Sequence, residues 1–86
     1  MVQKEFRITN SSGLHTRPGN DFVKTAKKFS CGITLAKNGK TVDAKSLLKI
    51  MKANIVSGDT VLISCTGSDE QQAMENIEIL MASLSE

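Results

Sequence analysis

The sequence is poor in the residues on which many binding sites depend. Its 86 residues include no tryptophan, no tyrosine and one histidine, and aromatic residues make up only 3%. RNA recognition on a sheet stacks bases on aromatic side chains. The three phenylalanines, Phe6, Phe22 and Phe29, fall on apolar stripes that predict a core. A nucleic-acid-binding module is therefore a weak alternative, and we expect no nucleic-acid partner.

Long apolar runs and cysteine motifs are also absent. No apolar run approaches the about 20 residues of a membrane span, and the first residues, MVQKE, lack the apolar block of a signal peptide. Cys31 and Cys65 lack CxxC spacing, and no histidine stands near either, so we expect no metal and no other cofactor. Reduced thiols fit the cytoplasm. We expect a cytoplasmic protein without membrane insertion.

What is present indicates one small folded domain over residues 1–86. Apolar residues make up 40% and charged residues 23%, a balance typical of globular proteins. The mass predicts a folded accessible surface of about 5,000 Å². Charge is uneven: residues 1–52 carry +8 and residues 53–86 carry −6, within a total of +2. Such polarity favours an acidic partner on the basic face.

Apolar periodicity predicts the element order βαββαβα. Strands are predicted at 2–8, around Ile33 and Leu35, around Val42 and from Val61 to Cys65, and helices at 16–28, 47–52 and 69–84. Asn38-Gly39 predicts a two-residue hairpin, Ser46 an N-cap, and Ser68 with Gln71 a capping box. Because each element has one apolar face, we expect the helices on one side of an antiparallel sheet.

The chemistry concentrates in Gly13-Leu14-His15-Thr16-Arg17-Pro18. His15 is the only histidine and stands between a turn and a predicted helix. It is either an exposed loop residue that caps the helix or a nucleophile that accepts phosphate. Neutral imidazole is available near neutral pH, a helix N-terminus attracts an anion, and the Arg17 guanidinium can hold phosphate oxygens.

The predicted helix 47–52 is unusually apolar for its length. Four of its residues are large and apolar: Leu47, Leu48, Ile50 and Met51. Ile50 and part of Leu47 are expected to face the sheet, which leaves the others exposed. Three lysines flank them: Lys45, Lys49 and Lys52. An apolar patch rimmed by charge indicates a docking site, and burial of all four residues is the alternative.

Three further features each have two interpretations. Ser46 is a simple helix cap or a regulatory phosphosite, since phosphate is also favourable at a helix N-terminus. Lys24, Lys27 and Lys28 form a solvated helix face or extend a basic surface around His15. Gly19 costs about 1 kcal/mol relative to alanine in a helix, so it either admits a partner or reflects tight packing.

At these residues the chain resembles the HPr family, the phosphocarriers of the bacterial phosphoenolpyruvate-dependent sugar phosphotransferase system. The resemblance covers essentially the whole chain. Its specific parts are GLHTRP at 13–18, the Asn38-Gly39 hairpin, AKSLL at 44–48 and GSDE at 67–70. Gly19-Asn20 departs from the small residues usual there. The resemblance implies an open-faced β-sandwich of the α+β class, with a four-stranded antiparallel sheet and three helices on one face.

The resemblance also implies a monomeric carrier rather than an enzyme. His15 would accept a phosphoryl group on Nδ1 from enzyme I and pass it to enzyme IIA of a sugar permease, while Arg17 holds the group. One surface would dock both partners: Thr16, Asn20, Lys24, Lys27, Leu47, Leu48, Lys49, Met51 and Lys52. A serine kinase acting on Ser46 is a further partner. A purely regulatory binder that does not need His15 stays open.

Overall fold

Four strands and three helices alternate in the part of the chain that the computed structural model describes, residues 1–10, 13, 14 and 16–83, with Thr16 by its backbone alone. The strands are β1 (Val2–Arg7), β2 (Gly32–Lys37), β3 (Lys40–Asp43) and β4 (Thr60–Thr66), and the helices are α1 (Thr16–Lys27), α2 (Leu47–Lys52) and α3 (Glu70–Ser83). The predicted order is confirmed. The predicted end of the last helix, residue 84, lies outside the described residues.

The strands form one antiparallel sheet in the order β1-β4-β2-β3. On the central strand β4, Cys65 lies opposite Val2 on one side and Ile33 on the other. Directly opposite residues point to the same face of a sheet, so apolar rows run across the strands. The helices pack on this face, which makes the fold the expected open-faced α+β sandwich.

The core lies between the sheet and the helices. Its largest fully buried side chains come from every part of the described chain: Phe22, Ile8, Leu14, Ile33, Leu35, Ile50, Ile55, Ile63, Ile77, Val61 and Cys65. The accessible surface is 4944 Å², close to the value expected from the mass. Across the described ranges, no helix is both long and apolar enough to cross a membrane.

The β2–β3 hairpin forms as predicted. Lys37 pairs with Lys40, and the two residues between them have positive φ angles, 52° at Asn38 and 81° at Gly39. Positive φ at both central positions is the geometry of a type I′ turn, which Asn-Gly favours because its twist matches that of the strands.

Of the two predicted helix caps, the one at α2 forms and the one at α3 does not. The predicted cap is confirmed at α2, where Ser46 Oγ accepts a hydrogen bond from Lys49 N at 3.4 Å. The predicted Ser68–Gln71 capping box is wrong. The helix α3 begins only at Glu70, and the hydrogen bond across its start runs from Gly67 N to Glu70 Oε1 at 3.0 Å.

Asp69, which lies between Gly67 and the helix, bonds a neighbouring segment instead of capping α3. The backbone N–H groups of Ser30 and Cys31 each donate to it at 2.9 Å. The residue before α3 therefore ties the helix to the chain that enters β2. Local spacing predicts a capping pattern here, but neither its register nor the tertiary contact of Asp69.

Candidate functional site

The loop before α1 is held tightly against the segment that follows α2. Asn10 is buried, and its Nδ2 donates to the carbonyl of Gly13 at 2.9 Å. The N–H of Leu14 donates to the carbonyl of Ile55 at 3.0 Å. Gly13 has a φ of +59°, and a Cβ there would lie 2.2 Å from the Ile55 oxygen. Only glycine fits this approach, so the backbone just before residue 15 is fixed.

His15 itself lies outside the described residues, so its role stays a prediction. The chain on both sides of it is placed: Leu14 is buried in the core, and α1 begins at Thr16. Arg17 is exposed on the first turn of α1. None of the ion pairs that join described residues involves Arg17. Arg17 follows the predicted acceptor by two positions in the sequence, and no carboxylate of the described residues pairs with its guanidinium.

Gly19 brings α1 against α2. It is buried, and a Cβ there would lie 3.0 Å from the carbonyl oxygen of Leu14 and 3.5 Å from Leu47 Cδ1. Of the two interpretations of this glycine, tight packing is the one that the structure supports. This contact places the first turn of α1 beside the first turn of α2. The predicted docking residues, which lie on these two helices, are therefore close together.

The helix α2 divides its apolar residues as predicted. Ile50 is fully buried and Leu47 half-buried, whereas Leu48 is 64% and Met51 39% exposed. We call Leu48 and Met51 the α2 patch. Val56 is 38% exposed, and a Cβ on Gly13 would lie 2.8 Å from its Cα. The sequence reasoning missed Val56, for which its place just before the Ser57-Gly58-Asp59 turn was the only signal.

Most of the predicted polar docking residues lie at the surface. Asn20 is half-buried, and four lysines are exposed: Lys24, Lys27, Lys49 and Lys52. Lys45 differs from the expectation that it flanks the patch, because it is half-buried and its Nζ donates to the Phe29 carbonyl at 2.7 Å. It holds the chain that follows α1 to the segment before α2. Of the lysines predicted to dock a partner, the exposed ones therefore lie on α1 and α2.

Ser46 and the two cysteines have structural roles in the fold. Ser46 is half-buried and occupied as the cap of α2, and its phosphorylation stays a prediction. Burial and the neighbouring Asp69 raise the pKa of the Cys31 thiol to about 11. Burial likewise raises the pKa of Cys65. Thiolate is the reactive form of cysteine, so both side chains serve as small core residues.

Comparison with known proteins identifies relatives along the whole described fold. The family model "PTS HPr component phosphorylation site" matches residues 2–83. The phosphocarrier protein HPr of Buchnera aphidicola subsp. Acyrthosiphon pisum is 44% identical over 98% of this chain and 99% of that protein. The phosphocarrier protein HPr of Haemophilus influenzae is 45% identical over the same shares, 98% and 99%.

A solved structure agrees with the sequence comparison. HPr-C-His from Thermoanaerobacter tengcongensis has a TM-score of 0.94 and 40% identity, covering 96% of this chain and 93% of that one. The similarity therefore extends over every strand and helix described above, including both helices that carry the α2 patch and Arg17.

Proposed function

Because the chain belongs to the HPr family of phosphocarriers of the sugar phosphotransferase system, we propose that His15 is its phosphoryl acceptor. The P–N bond to a histidine of enzyme I breaks as a P–N bond to Nδ1 of His15 forms. Since one P–N bond replaces another, the transfer can run in both directions, and the group passes on to enzyme IIA. The protein supplies position and charge rather than a complete active site.

One observation carries this proposal: the first turn of α1 packs against α2 beside an exposed apolar patch. Gly19 makes that approach possible, and Leu48 and Met51 stay open at the surface. Donor and acceptor must both reach the same ring nitrogen, so one surface serves both partners. We assign it to Thr16, Asn20, Lys24, Lys27, Leu47, Leu48, Lys49, Met51 and Lys52.

Arg17 holds the transferred group in this proposal. It is exposed in the first turn of α1, where the helix N-terminus also attracts negative charge. A guanidinium presents several N–H donors to phosphate oxygens at once. The carrier acts as a cytoplasmic monomer without a cofactor, and it turns over only with its partner enzymes.

Ser46 is the regulatory site that we propose for a serine kinase. Its Oγ already accepts from Lys49 N at 3.4 Å, and a phosphate there keeps an acceptor at the start of α2 while adding negative charge beside Leu48. Such a charge would weaken docking of an acidic partner. Ser46→Asp should therefore bind enzyme I more weakly than Ser46→Ala, and equal binding would exclude this regulation.

The decisive test is phosphorylation from labelled phosphoenolpyruvate by enzyme I, followed by intact-protein mass. We expect one added phosphoryl group that is lost in acid and stable in alkali, as a phosphohistidine is. His15→Ala should take none while keeping its circular dichroism spectrum. Retention of an acid-labile group in that variant would refute the site. An unlabelled wild type, with enzyme I active on another carrier, would favour the regulatory binder.

Arg17→Ala tests the positioning role separately. Rapid-quench measurement should show transfer slowed by at least about tenfold, because a donor to the transferred group is lost. Arg7→Ala is the matched control, since Arg7 is also exposed but lies on β1. Equal rates in the two variants would remove Arg17 from the mechanism.

A further inference from the structure

A cleft rimmed by lysines lies between the β2–β3 hairpin and α2. Its volume is about 570 Å³, within the range of small-molecule sites, about 300–1,000 Å³. Its walls include four lysines and two apolar residues: Lys37, Lys40, Lys49, Lys52, Val42 and Ala53. Arg17 is not among the described residues that line it.

Lys37 is the one lysine of the cleft that the fold itself uses. Its Nζ lies 2.7 Å from Asp59 Oδ2 and donates to the carbonyl of Asn54 at 2.6 Å. The ammonium also holds the pKa of Asp59 below its ordinary value. Lys37 thus joins the end of β2 to the loop after α2 and shapes the cleft.

The other three lysines are not neutralised by the fold. Lys40, Lys49 and Lys52 are exposed, and none takes part in an ion pair among the described residues. Lys49 and Lys52 are three residues apart on α2 and so share one side of it. Both lie in the last turn of α2, where the helix dipole favours a positive charge. Lys40 lies on β3, so the dipole of α2 does not explain a third lysine at the cleft. Like charges around one cleft repel, and a multiply charged anion would relieve this.

The apolar part of the cleft lining favours an organic ligand over a simple ion. Val42 and Ala53 are half-buried and apolar. Asn38 and Asn54 also line the cleft, and both hold positive φ angles, 52° and 53°. A side-chain amide carries both hydrogen-bond donors and an acceptor. Each lysine ammonium acts as a point charge rather than as a fork that grips one phosphate. Lysines on both sides of the cleft therefore suit a ligand with more than one phosphate.

We propose that this cleft binds a small organic molecule with two or more phosphate groups. The phosphates lie on Lys40, Lys49 and Lys52, and the uncharged body lies on Val42 and Ala53. Binding here does not depend on phosphoryl transfer at His15. It does place a ligand on two lysines of the proposed docking surface, so an occupied cleft would compete with protein partners.

The test is a titration of ¹⁵N-labelled protein, followed by backbone amide shifts, with three probes: ADP, pyrophosphate and adenosine. ADP combines an uncharged body with two phosphates, and each other probe has one part only. We expect ADP to bind more tightly than either and to shift the amides of Asn38, Gly39 and Asn54. Lys40→Gln should weaken ADP about fivefold, the loss of one surface charge pair. Lys28→Gln, an equal charge loss outside the cleft, should leave ADP binding unchanged.

Four outcomes would overturn the proposal. ADP could fail to bind at millimolar concentration, or bind no more tightly than pyrophosphate, which would show that the apolar lining contributes nothing. The shifts could centre on residues 13–20, which would place the ligand at the start of α1. Equal weakening by Lys40→Gln and Lys28→Gln would show attraction to net charge alone. None of these results bears on phosphorylation of His15, which the enzyme I assay tests independently.

Discussion

The helices α2 and α3 are both rich in apolar residues, but they use them differently. Over fourteen residues α3 buries Ala73, Met74 and Ile77. Over six residues α2 buries Ile50 alone and leaves Leu48 64% exposed. A short helix gains little stability from apolar residues that do not reach the core. The fold thus accounts for the buried apolar side chains of α3, whereas for those of α2 that it leaves uncovered we propose a partner.

One residue of α3 provides a control for this comparison. Ile79 is 70% exposed, as open as Leu48. It stands next to Glu78 in the acidic half of the chain, and a lone apolar residue at the surface needs no explanation. Leu48 and Met51 are three residues apart on one helix and flanked by Lys49 and Lys52. Our docking proposal for α2 therefore depends on exposure together with an apolar neighbour and cationic surroundings, not on exposure alone.

The largest expected effect is on the buried side of α3. Ile77→Ala should lower the free energy of unfolding by about 3 kcal/mol, because a fully buried isoleucine leaves a cavity when truncated. Ile79→Ala should change it by less than about 0.5 kcal/mol. Urea unfolding of both variants measures the difference. Similar losses would mean that α3 does not divide into a buried and an exposed side.

The next effect concerns binding through α2. Leu48→Asp should weaken docking to enzyme I at least about tenfold, because it removes an apolar anchor and adds a charge that opposes an acidic partner. Ile79→Asp is the matched control and should bind normally. Titration calorimetry gives the affinities, and urea unfolding should show both variants stable. If Leu48→Asp unfolds the protein instead, the residue belongs to the core and the α2 patch is wrong.

The division within α2 could be predicted because it depends on helical spacing and length. Ile50 faces the core, and a six-residue helix has no second side that can be buried. The β2–β3 hairpin was predictable for a similar reason, since Asn38-Gly39 specifies its turn locally. Wherever adjacent residues decide the structure, the pattern of the sequence was sufficient.

Contacts between distant segments were not predictable in this way. The Gly13 backbone meets Ile55, and Asp69 bonds Ser30 and Cys31. Periodicity and turn chemistry carry no information about such pairs. The basic cleft is of the same kind, since Lys40 and Lys52 share it only through the fold. The capping box predicted at Ser68 and Gln71 failed in register, since Gly67 and Glu70 make the bond across the helix start one residue earlier.

A smaller effect is expected at the start of α2. Ser46→Ala should cost about 0.5–1 kcal/mol of unfolding free energy, because a capping acceptor is lost from a bond that is already long at 3.4 Å. Ser57→Ala, at an exposed turn position, should change stability by less than about 0.5 kcal/mol. Thermal unfolding of the two variants compares them, and equal melting temperatures would show that the cap contributes nothing.

The smallest effect separates the two helix starts by pH. A neutral hydroxyl serves α2, whereas carboxylates serve α3. The Gly67 N–H and the amino terminus lower the pKa of Glu70 from 4.5. The Ser30 N–H, with the Cys31 thiol and N–H, lowers the pKa of Asp69 from 3.8. A lowered pKa in the folded state adds stability that is complete above the unfolded pKa and is lost as pH falls through the folded one.

Stability should therefore be level from pH 7 to about 5 and decline below about 4.5 as these carboxylates are protonated. Asp69→Asn should flatten that decline. Asparagine does not take up a proton in this pH range, so residue 69 no longer contributes to the pH dependence of folding. Glu75→Gln, which removes an exposed carboxylate from α3 itself, serves as the control. Urea unfolding across pH 7 to 2 measures all three chains. Parallel curves for wild type and Asp69→Asn would show that the link from α3 to the chain before β2 does not depend on charge, and the two helix starts would then differ in geometry alone.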